Sequence, residues 1–224
     1  MSMSAEPRSS ADDDSPEIRK YEYLFKVILV GDMGVGKSSL LDSFTKTECN
    51  PDRSSNIGTD YKSRSMYVQG KPITLHIWDM LGQETYKTLT SQFYRDVHGA
   101  LILYDITNGA SFPPVRQWFQ VLDMRCGKYL PKVLIGNKND LSVDNRDVQA
   151  EQGAEFARNL GNLKPPFLEI SAIKEQDAEK AFVMLVNEIL SNPLFSSQAN
   201  VRDSIILKSN IKPIHDPKES GCCK

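Results

Sequence analysis

Cysteine, long apolar segments and an excess of positive charge are all scarce or missing in this sequence. Only four of its 224 residues are cysteine, which excludes a disulfide framework and favours a reducing compartment. The formal net charge of −2 argues against a nucleic-acid-binding protein. No segment approaches the ~20 apolar residues of a membrane-spanning helix, so we expect a soluble protein unless a lipid is attached. The three histidines lie far apart and give no metal-ligand spacing.

Composition divides the chain into three zones. Residues 1–20 contain almost no large apolar side chain and carry an acidic run, which predicts a disordered extension and no secretory leader. Residues 21–190 alternate apolar runs with amphipathic stretches, which is typical of one α/β domain. Residues 191–224 are rich in Pro, Ser, Asn and Lys, and we expect a flexible tail.

Hydrophobic periodicity predicts the elements of the middle zone. Short apolar runs predict buried strands at 24–30, 100–104, 132–135 and 167–170, and alternation around a turn predicts a hairpin of 60–69 with 72–79. Helical spacing predicts helices at 37–47, 113–126, 147–160 and 178–189. We therefore expect a mostly parallel six-stranded sheet with one antiparallel edge hairpin and helices on both faces. Ligands of such sheets bind at the carboxyl ends of the strands.

A glycine-rich motif follows the first predicted strand directly. Residues 31–38 read G-D-M-G-V-G-K-S, and the order strand, glycine loop, helix is the context that a phosphate-binding P-loop requires. The loop amides and the helix N-terminus would hold phosphates, Lys37 would reach the β- and γ-phosphates, and the Ser38 hydroxyl would bind Mg²⁺. The candidate phosphate-binding residues are Asp32, Met33, Gly34, Val35, Gly36, Lys37, Ser38 and Ser39. This predicts a P-loop NTPase.

The end of the strand at 132–135 indicates which base is bound. It leads into N-K-N-D at residues 137–140, where Asn137 and Lys138 precede Asp140. The Asp140 carboxylate can accept from both N1–H and the exocyclic amine of guanine. Adenine has no such donor pair, which opposes the alternative of a P-loop kinase or ATPase. Ser171 and Ala172, after the last strand, are placed to offer a backbone N–H to the guanine oxygen, so we expect GTP and GDP as ligands.

A third motif lies between these two, at the end of the hairpin. Asp79 ends a predicted strand and can hold Mg²⁺ through water, whereas the Gly82 N–H can contact a γ-phosphate. Gln83 is placed to orient the attacking water. An ordinary turn aspartate is the simpler interpretation of Asp79 taken alone, but the two neighbouring motifs favour the metal.

Over about residues 22–190 the chain resembles the Ras-like small GTPases, and among them the Rab family. I-G-T-D-Y at 57–61 is similar to the Rab switch I segment, and L-H-I-W-D-M-L-G-Q-E at 75–84 to its switch II entry; residues 88–95 and 103–107 are similar to the next two blocks. The resemblance implies a GTP/GDP switch in vesicle trafficking, with Mg²⁺ as cofactor. It also implies an exchange factor, a GTPase-activating protein, a GDP-dissociation inhibitor or escort protein, and effectors that read an aromatic triad at Tyr61, Trp78 and Phe93. Core packing alone is the other interpretation of these rings.

The last four residues, G-C-C-K, are similar to Rab tails that take two prenyl groups. Cys222 and Cys223 are the candidate lipidation sites, since stable anchoring takes two signals and the tail is not strongly basic. The resemblance implies a location on the cytoplasmic face of intracellular membranes, with cycling through the cytosol.

Several positions depart from the family pattern. Asn56 stands where the family's switch I threonine binds Mg²⁺, and Cys49 where an aromatic residue covers the guanine. Leu81 is bulkier than the family's alanine beside the γ-phosphate, and Met33 occupies a loop position where a small residue is usual, next to the space that an arginine finger would enter. Ile173 stands at the lysine position of the family's S-A-K block. These departures leave open an alternative, a divergent pseudo-GTPase that acts as a membrane scaffold with little turnover.

Overall fold

Strands and helices alternate along the chain in the computed structural model, which describes residues 23–46, 61–79, 91–160 and 164–196. The strands are β1 (Tyr23–Val30), β2 (Tyr61–Val68), β3 (Lys71–Asp79), β4 (Gly99–Asp105), β5 (Lys132–Asn137) and β6 (Phe167–Glu169). The helices are α1 (Lys37–Thr45), α2 (Ser91–Tyr94), α3 (Val115–Cys126), α4 (Ser142–Asn145), α5 (Ala150–Arg158), α6 (Glu175–Ser191) and α7 (Pro193–Ser196). Short 3₁₀ turns cover Gly109–Ser111 and Asn139–Leu141. No helix in these four ranges is long and apolar enough to cross a membrane.

The six strands form one sheet in the order β2-β3-β1-β4-β5-β6. The β2–β3 pair is antiparallel and every other pair is parallel. Gln69 and Gly70 join β2 to β3 with φ of 54° and 74°, the positive angles that a two-residue type I′ hairpin turn requires. The predicted fold is confirmed, including the antiparallel pair at one edge.

Helices cover both faces of the sheet and enclose two apolar clusters. Residues of α1 and α6 pack on one face of β1, β3 and β4. Residues of α3 and α5 pack with β4 and β5 on the other face. Every residue of β4 is buried, as expected for a strand that has neighbours on both edges and helices on both faces.

Several predicted boundaries differ from those in the structure. The strand expected at 132–135 continues through Gly136 and Asn137, because both residues pair with β4. The helix expected at 147–160 begins at Ala150, where Gln149 and Gln152 form a reciprocal capping box. The sequence predicted neither α2, α4 nor α7, each of which has four residues. A four-residue helix is too short to show a hydrophobic period.

Candidate nucleotide site

The glycine loop between β1 and α1 lies at the carboxyl edge of the sheet. Its glycines at 31, 34 and 36 have φ of 142°, 79° and 96°, which side chains rarely adopt. A Cβ on Gly31 would lie 2.3 Å from the Leu103 carbonyl oxygen, and one on Gly36 would lie 2.2 Å from Asn137 Nδ2. The loop is therefore packed against β4 and against the N-K-N-D segment, and only glycine fits at these two points.

Lys37 is the first residue of α1 and is buried. Its ammonium donates to the Gly31 carbonyl oxygen at 2.7 Å and to the Asp32 carbonyl oxygen at 2.8 Å. Burial lowers the pKa of this ammonium, while the charges of Asp79 and Asp32 oppose that shift. The loop thus holds a buried cation at its centre, as a phosphate site requires.

The remaining P-loop residues differ in exposure. The Met33 side chain is 69% exposed and the Val35 side chain is buried, whereas Gly34, Ser38 and Ser39 are exposed. Met33 therefore stands on the rim of the loop, where the resemblance places the space that an arginine finger would enter.

Asn137 connects three loops of the site. Its Nδ2 donates to the Val35 carbonyl oxygen at 2.7 Å, and its Oδ1 accepts from the Ala172 N–H at 2.8 Å. The side chain is almost completely buried. The P-loop, the end of β5 and the segment after β6 are therefore one hydrogen-bonded unit.

The backbone N–H groups that the sequence assigned to the guanine oxygen have protein acceptors in this structure. Ala172 donates to Asn137, as above, and the Ser171 N–H donates to Asp177 Oδ2 at 3.2 Å. The Ser171 hydroxyl oxygen is buried and has no hydrogen-bond partner among the described residues. Ile173 is 72% exposed and stands at the rim of the site.

Lys138 has a left-handed backbone, with φ of 69°, which is unusual for a residue other than glycine. Its ammonium lies 2.6 Å from Asp105 Oδ2 at the buried end of β4. Burial alone would raise the pKa of Asp105, but hydrogen bonds from Lys138 and from both the hydroxyl and the N–H of Thr107 outweigh it and lower that pKa. Asp105 is absent from the site residues predicted from the sequence, although its place at the end of an apolar strand was a usable signal.

Asp140 is exposed in the 3₁₀ turn after Lys138, and a guanidinium braces this turn. Arg146 donates to both carboxylate oxygens of Glu169 at 2.7 and 2.8 Å, and to Asn139 Oδ1 at 3.3 Å. The Asn139 N–H donates to the Ile170 carbonyl oxygen. These contacts tie the N-K-N-D turn to β6, and no local sequence pattern predicted them.

Ser38 and Asp79 supply oxygen atoms next to the P-loop. The Ser38 hydroxyl donates to Asp79 Oδ2, and Asp79 Oδ1 is buried without a hydrogen-bond partner in the described part of the chain. A hydroxyl and a carboxylate with an unused buried oxygen fit Mg²⁺, which prefers hard oxygen ligands. Among the described residues these two would hold the ion.

The three aromatic rings assigned to effectors lie together. The ring centroids of Tyr61 and Trp78 are 5.1 Å apart, and those of Trp78 and Phe93 are 5.9 Å apart in an edge-to-face arrangement. The Lys26 ammonium lies 4.8 Å from the Trp78 centroid, and the His76 ring lies 4.8 Å from that of Tyr61. All three rings are only partly buried.

The other candidate residues lie outside the described residues. They are Cys49, Asn56, Leu81, Gly82, Gln83, Cys222 and Cys223. Their assigned roles stay predictions.

Comparison with known proteins places this chain in a family. The model of the Ras family matches residues 26–191. Ras-related protein Rab-1A of Dictyostelium discoideum is 42% identical over 205 residues, which cover 91% of this chain and 98% of the relative. GTP-binding protein ypt1 of Schizosaccharomyces pombe and Ras-related protein RIC1 of Oryza sativa subsp. japonica are each 39% identical to this chain. Both alignments again cover 91% of this chain and 98% of the relative.

The fold, the P-loop and the N-K-N-D turn define a P-loop protein of the GTPase class. With the matched model, the chain belongs to the Ras family, and it is a Rab-like small GTPase, which hydrolyses GTP to GDP and phosphate. The predicted resemblance is confirmed. The alternative of a pseudo-GTPase scaffold is not favoured.

Proposed function

We propose that the described loops form the nucleotide site of a membrane-anchored switch that regulates vesicle trafficking. The observation that carries this assignment is the position of Asn137, whose one side chain joins the P-loop to both segments assigned to the base. Phosphate and guanine therefore bind to parts of one rigid unit.

On the phosphate side, Lys37 and the N-terminus of α1 face the polyphosphate. The nine-residue helix α1 adds its positive dipole end to the buried ammonium. Ser38 and Asp79 would hold Mg²⁺, which would neutralise charge on the β- and γ-phosphates. Lys37 keeps its two carbonyl partners on the loop, so its ammonium is already aimed when the nucleotide arrives.

On the base side, Asp140 accepts from N1–H and the exocyclic amine of guanine. The Ala172 N–H reaches the guanine oxygen by leaving Asn137 Oδ1 or by sharing its proton with both acceptors. The Arg146–Glu169 pair and the Lys138–Asp105 pair keep the turn in place. Gln83 orients water for in-line attack on the γ-phosphorus. This attack breaks the bond between the γ-phosphorus and the oxygen that links it to the β-phosphate.

The tail attaches the switch to membranes, and the aromatic surface formed by Tyr61, Trp78 and Phe93 binds its effectors. Cys222 and Cys223 carry two prenyl groups, which hold the protein on the cytoplasmic face of intracellular membranes between periods in the cytosol. An exchange factor, a GTPase-activating protein and a GDP-dissociation inhibitor or escort protein are the implied regulators. Effectors bind Tyr61, Trp78 and Phe93.

The first experiment identifies the nucleotide and follows its fate. The full chain is purified, its bound nucleotide is extracted and identified, and phosphate release is followed in a single turnover after loading with GTP and Mg²⁺. We expect GDP in the purified protein and measurable hydrolysis. Recovery of intact GTP with no phosphate release would return the protein to the scaffold class.

A base-specificity variant tests the assignment of Asp140. In Asp140→Asn the side chain offers an N–H to the carbonyl at C2 of xanthine, in place of the acceptor that guanine needs. We expect weaker binding of GDP and stronger binding of XDP than in the wild type. Glu155→Gln, an equal charge change on the exposed side of α5, is the matched control and leaves both affinities unchanged. Unchanged preference in Asp140→Asn would contradict the assignment.

A further inference from the structure

A tryptophan outside the recognised motifs contacts the P-loop directly. Trp118 lies on α3, is only 4% exposed, and donates its Nε1–H to Asp32 Oδ1 at 3.2 Å. The two residues are 86 positions apart in sequence. An indole can only donate at this nitrogen, so the contact requires the acceptor that the Asp32 side chain provides.

Asp32 is engaged through both its side chain and its backbone. Its carboxylate accepts from Trp118, while its carbonyl oxygen accepts from the Lys37 ammonium at 2.8 Å. Asp32 thus stands between a buried indole on α3 and the cation at the centre of the proposed phosphate site.

The charge of Asp32 is unfavourable for the ligand proposed here. A carboxylate near a polyphosphate repels it, and the repulsion grows as the separation falls. Asp32 lies next to the site, because its carbonyl oxygen accepts from the Lys37 ammonium at 2.8 Å, and its charge opposes the lowering of the Lys37 pKa by burial. A loop that binds anions therefore needs this carboxylate to be held to one side.

We propose that Trp118 is a positioning residue of the nucleotide site, which holds the Asp32 carboxylate against α3 and away from the phosphates. The proposal rests on the function proposed above, since it assumes that the P-loop binds a guanine nucleotide. The part of Trp118 that acts is its N–H; the rest of the ring belongs to the apolar cluster between α3 and the sheet.

A double-mutant cycle separates this role from simple packing. Trp118→Phe removes the N–H and keeps an aromatic ring in the cluster. Asp32→Asn removes the charge and keeps an oxygen that can accept from the indole. Both single variants and the double variant are made in the full chain, loaded with fluorescent GDP and Mg²⁺, and their GDP dissociation rates are compared at low ionic strength.

The expected pattern is non-additive. Trp118→Phe speeds GDP dissociation by about tenfold, because the freed carboxylate moves towards the phosphates. Asp32→Asn slows dissociation by about threefold, because a nearby negative charge is removed. In the double variant the rate returns to within about twofold of that of Asp32→Asn, since no charge remains to be held.

Two further measurements complete the design. Phe119→Leu removes a comparable amount of apolar volume from the next position of α3 without touching Asp32, and it leaves GDP dissociation unchanged. The rate ratio between Trp118→Phe and the wild type falls as salt is raised, because the repulsion is screened; lost packing would give a ratio independent of salt.

Either of two results overturns the inference. One is an unchanged dissociation rate in Trp118→Phe, and the other is an increase that persists undiminished in the double variant. Failure of the assumed nucleotide binding gives a different result, since the wild-type chain would then bind neither GDP nor GTP.

Discussion

The Asn137 amide donates to the Val35 carbonyl oxygen at 2.7 Å, although 102 residues separate the two in sequence. Gly36 makes the contact possible, because any side chain there would collide with Asn137 Nδ2. The P-loop is therefore held from two directions, by β1 before it and by the end of β5 across it.

Replacing Asn137 by Ala tests this bridge. The Val35 carbonyl oxygen and the Ala172 N–H both lose a buried partner, at about 1–3 kcal/mol each. We expect the free energy of unfolding to fall by about 2–6 kcal/mol and GDP dissociation to become faster. Urea denaturation and fluorescent GDP exchange measure the two effects. Asn187→Ala, which loses only the exposed hydrogen bond with Gln69, is the control; equal losses in both variants would contradict the bridge.

Asp105, which is paired with Lys138 of the N-K-N-D turn, makes the stability of the protein depend on pH in the acid range. Its pKa is lowered in the folded protein because hydrogen bonds from Lys138 and Thr107 outweigh the effect of burial. A carboxylate whose pKa is lower in the folded protein stabilises the fold at pH values above its pKa in the unfolded chain, which is about 4. This stabilisation is lost as the pH falls through the pKa of the folded protein.

We therefore expect Asp105→Asn to destabilise the protein by about 1–3 kcal/mol at neutral pH. The difference from the wild type shrinks below about pH 4. Denaturation at several pH values between 3 and 8 measures this. A difference that does not change with pH would mean that Asp105 acts through its shape and not through its charge. The same variant binds GDP more weakly, because Lys138 loses its ion pair.

His76, whose ring packs on that of Tyr61, makes the stability of the protein depend on pH near neutrality. Burial lowers its pKa below the ordinary value, so the unfolded chain binds this proton more readily than the folded one. The contribution of His76 to stability is then highest above about pH 6.5, its pKa in the unfolded chain, and falls as the pH drops from there through its pKa in the folded protein.

His76→Gln removes that contribution and leaves the other titrating groups in place. The loss of stability of the wild type between about pH 7 and pH 5 is expected to exceed that of the variant, as followed by thermal unfolding with tyrosine and tryptophan fluorescence. Parallel curves for the two proteins would show that His76 is protonated equally in both states.

Gly153 lies inside α5, where alanine is normally favourable by about 1 kcal/mol. Here a Cβ would lie 2.4 Å from the Tyr104 hydroxyl oxygen and 2.6 Å from the Phe167 ring. We therefore expect Gly153→Ala to destabilise the protein by about 1–3 kcal/mol, as measured by chemical denaturation. Gly109→Ala, whose Cβ would make only ordinary contacts at 3.6 Å, is the control and stays within about 0.5 kcal/mol of the wild type.

Tyr104→Phe relieves part of this crowding. The Tyr104 hydroxyl oxygen is buried and has no hydrogen-bond partner in the described ranges, so its removal costs no hydrogen bond. We expect the substitution to be neutral or stabilising alone and to recover part of the loss in Gly153→Ala, while the Phe167 contact keeps the recovery incomplete. Additive effects in the double variant would contradict this arrangement.

The sequence was sufficient for the sheet and for the P-loop because both follow local rules. A strand buried on both faces shows as an apolar run, and a loop that turns its amides towards phosphate needs glycines at fixed spacing. The lengths of the strands were less predictable. Gly136 and Asn137 belong to β5 through pairing with β4, which an apolar run does not show.

The contacts that support the site could not be predicted from the sequence, for a different reason. Trp118 and Asp32 are far apart in the chain, and so are Arg146 and Glu169. Each pair meets only because the sheet order brings its elements together. A pattern of residue types along one sequence carries no record of that distance in space.

The long separations within the site also fix when it can form during synthesis. The P-loop leaves the ribosome early, but Ala172, which completes the unit through Asn137, follows after most of the domain has been made. A growing chain that ends before β6 has the phosphate loop without its partner for the base. The complete set of loops that the nucleotide needs therefore exists only near the end of translation.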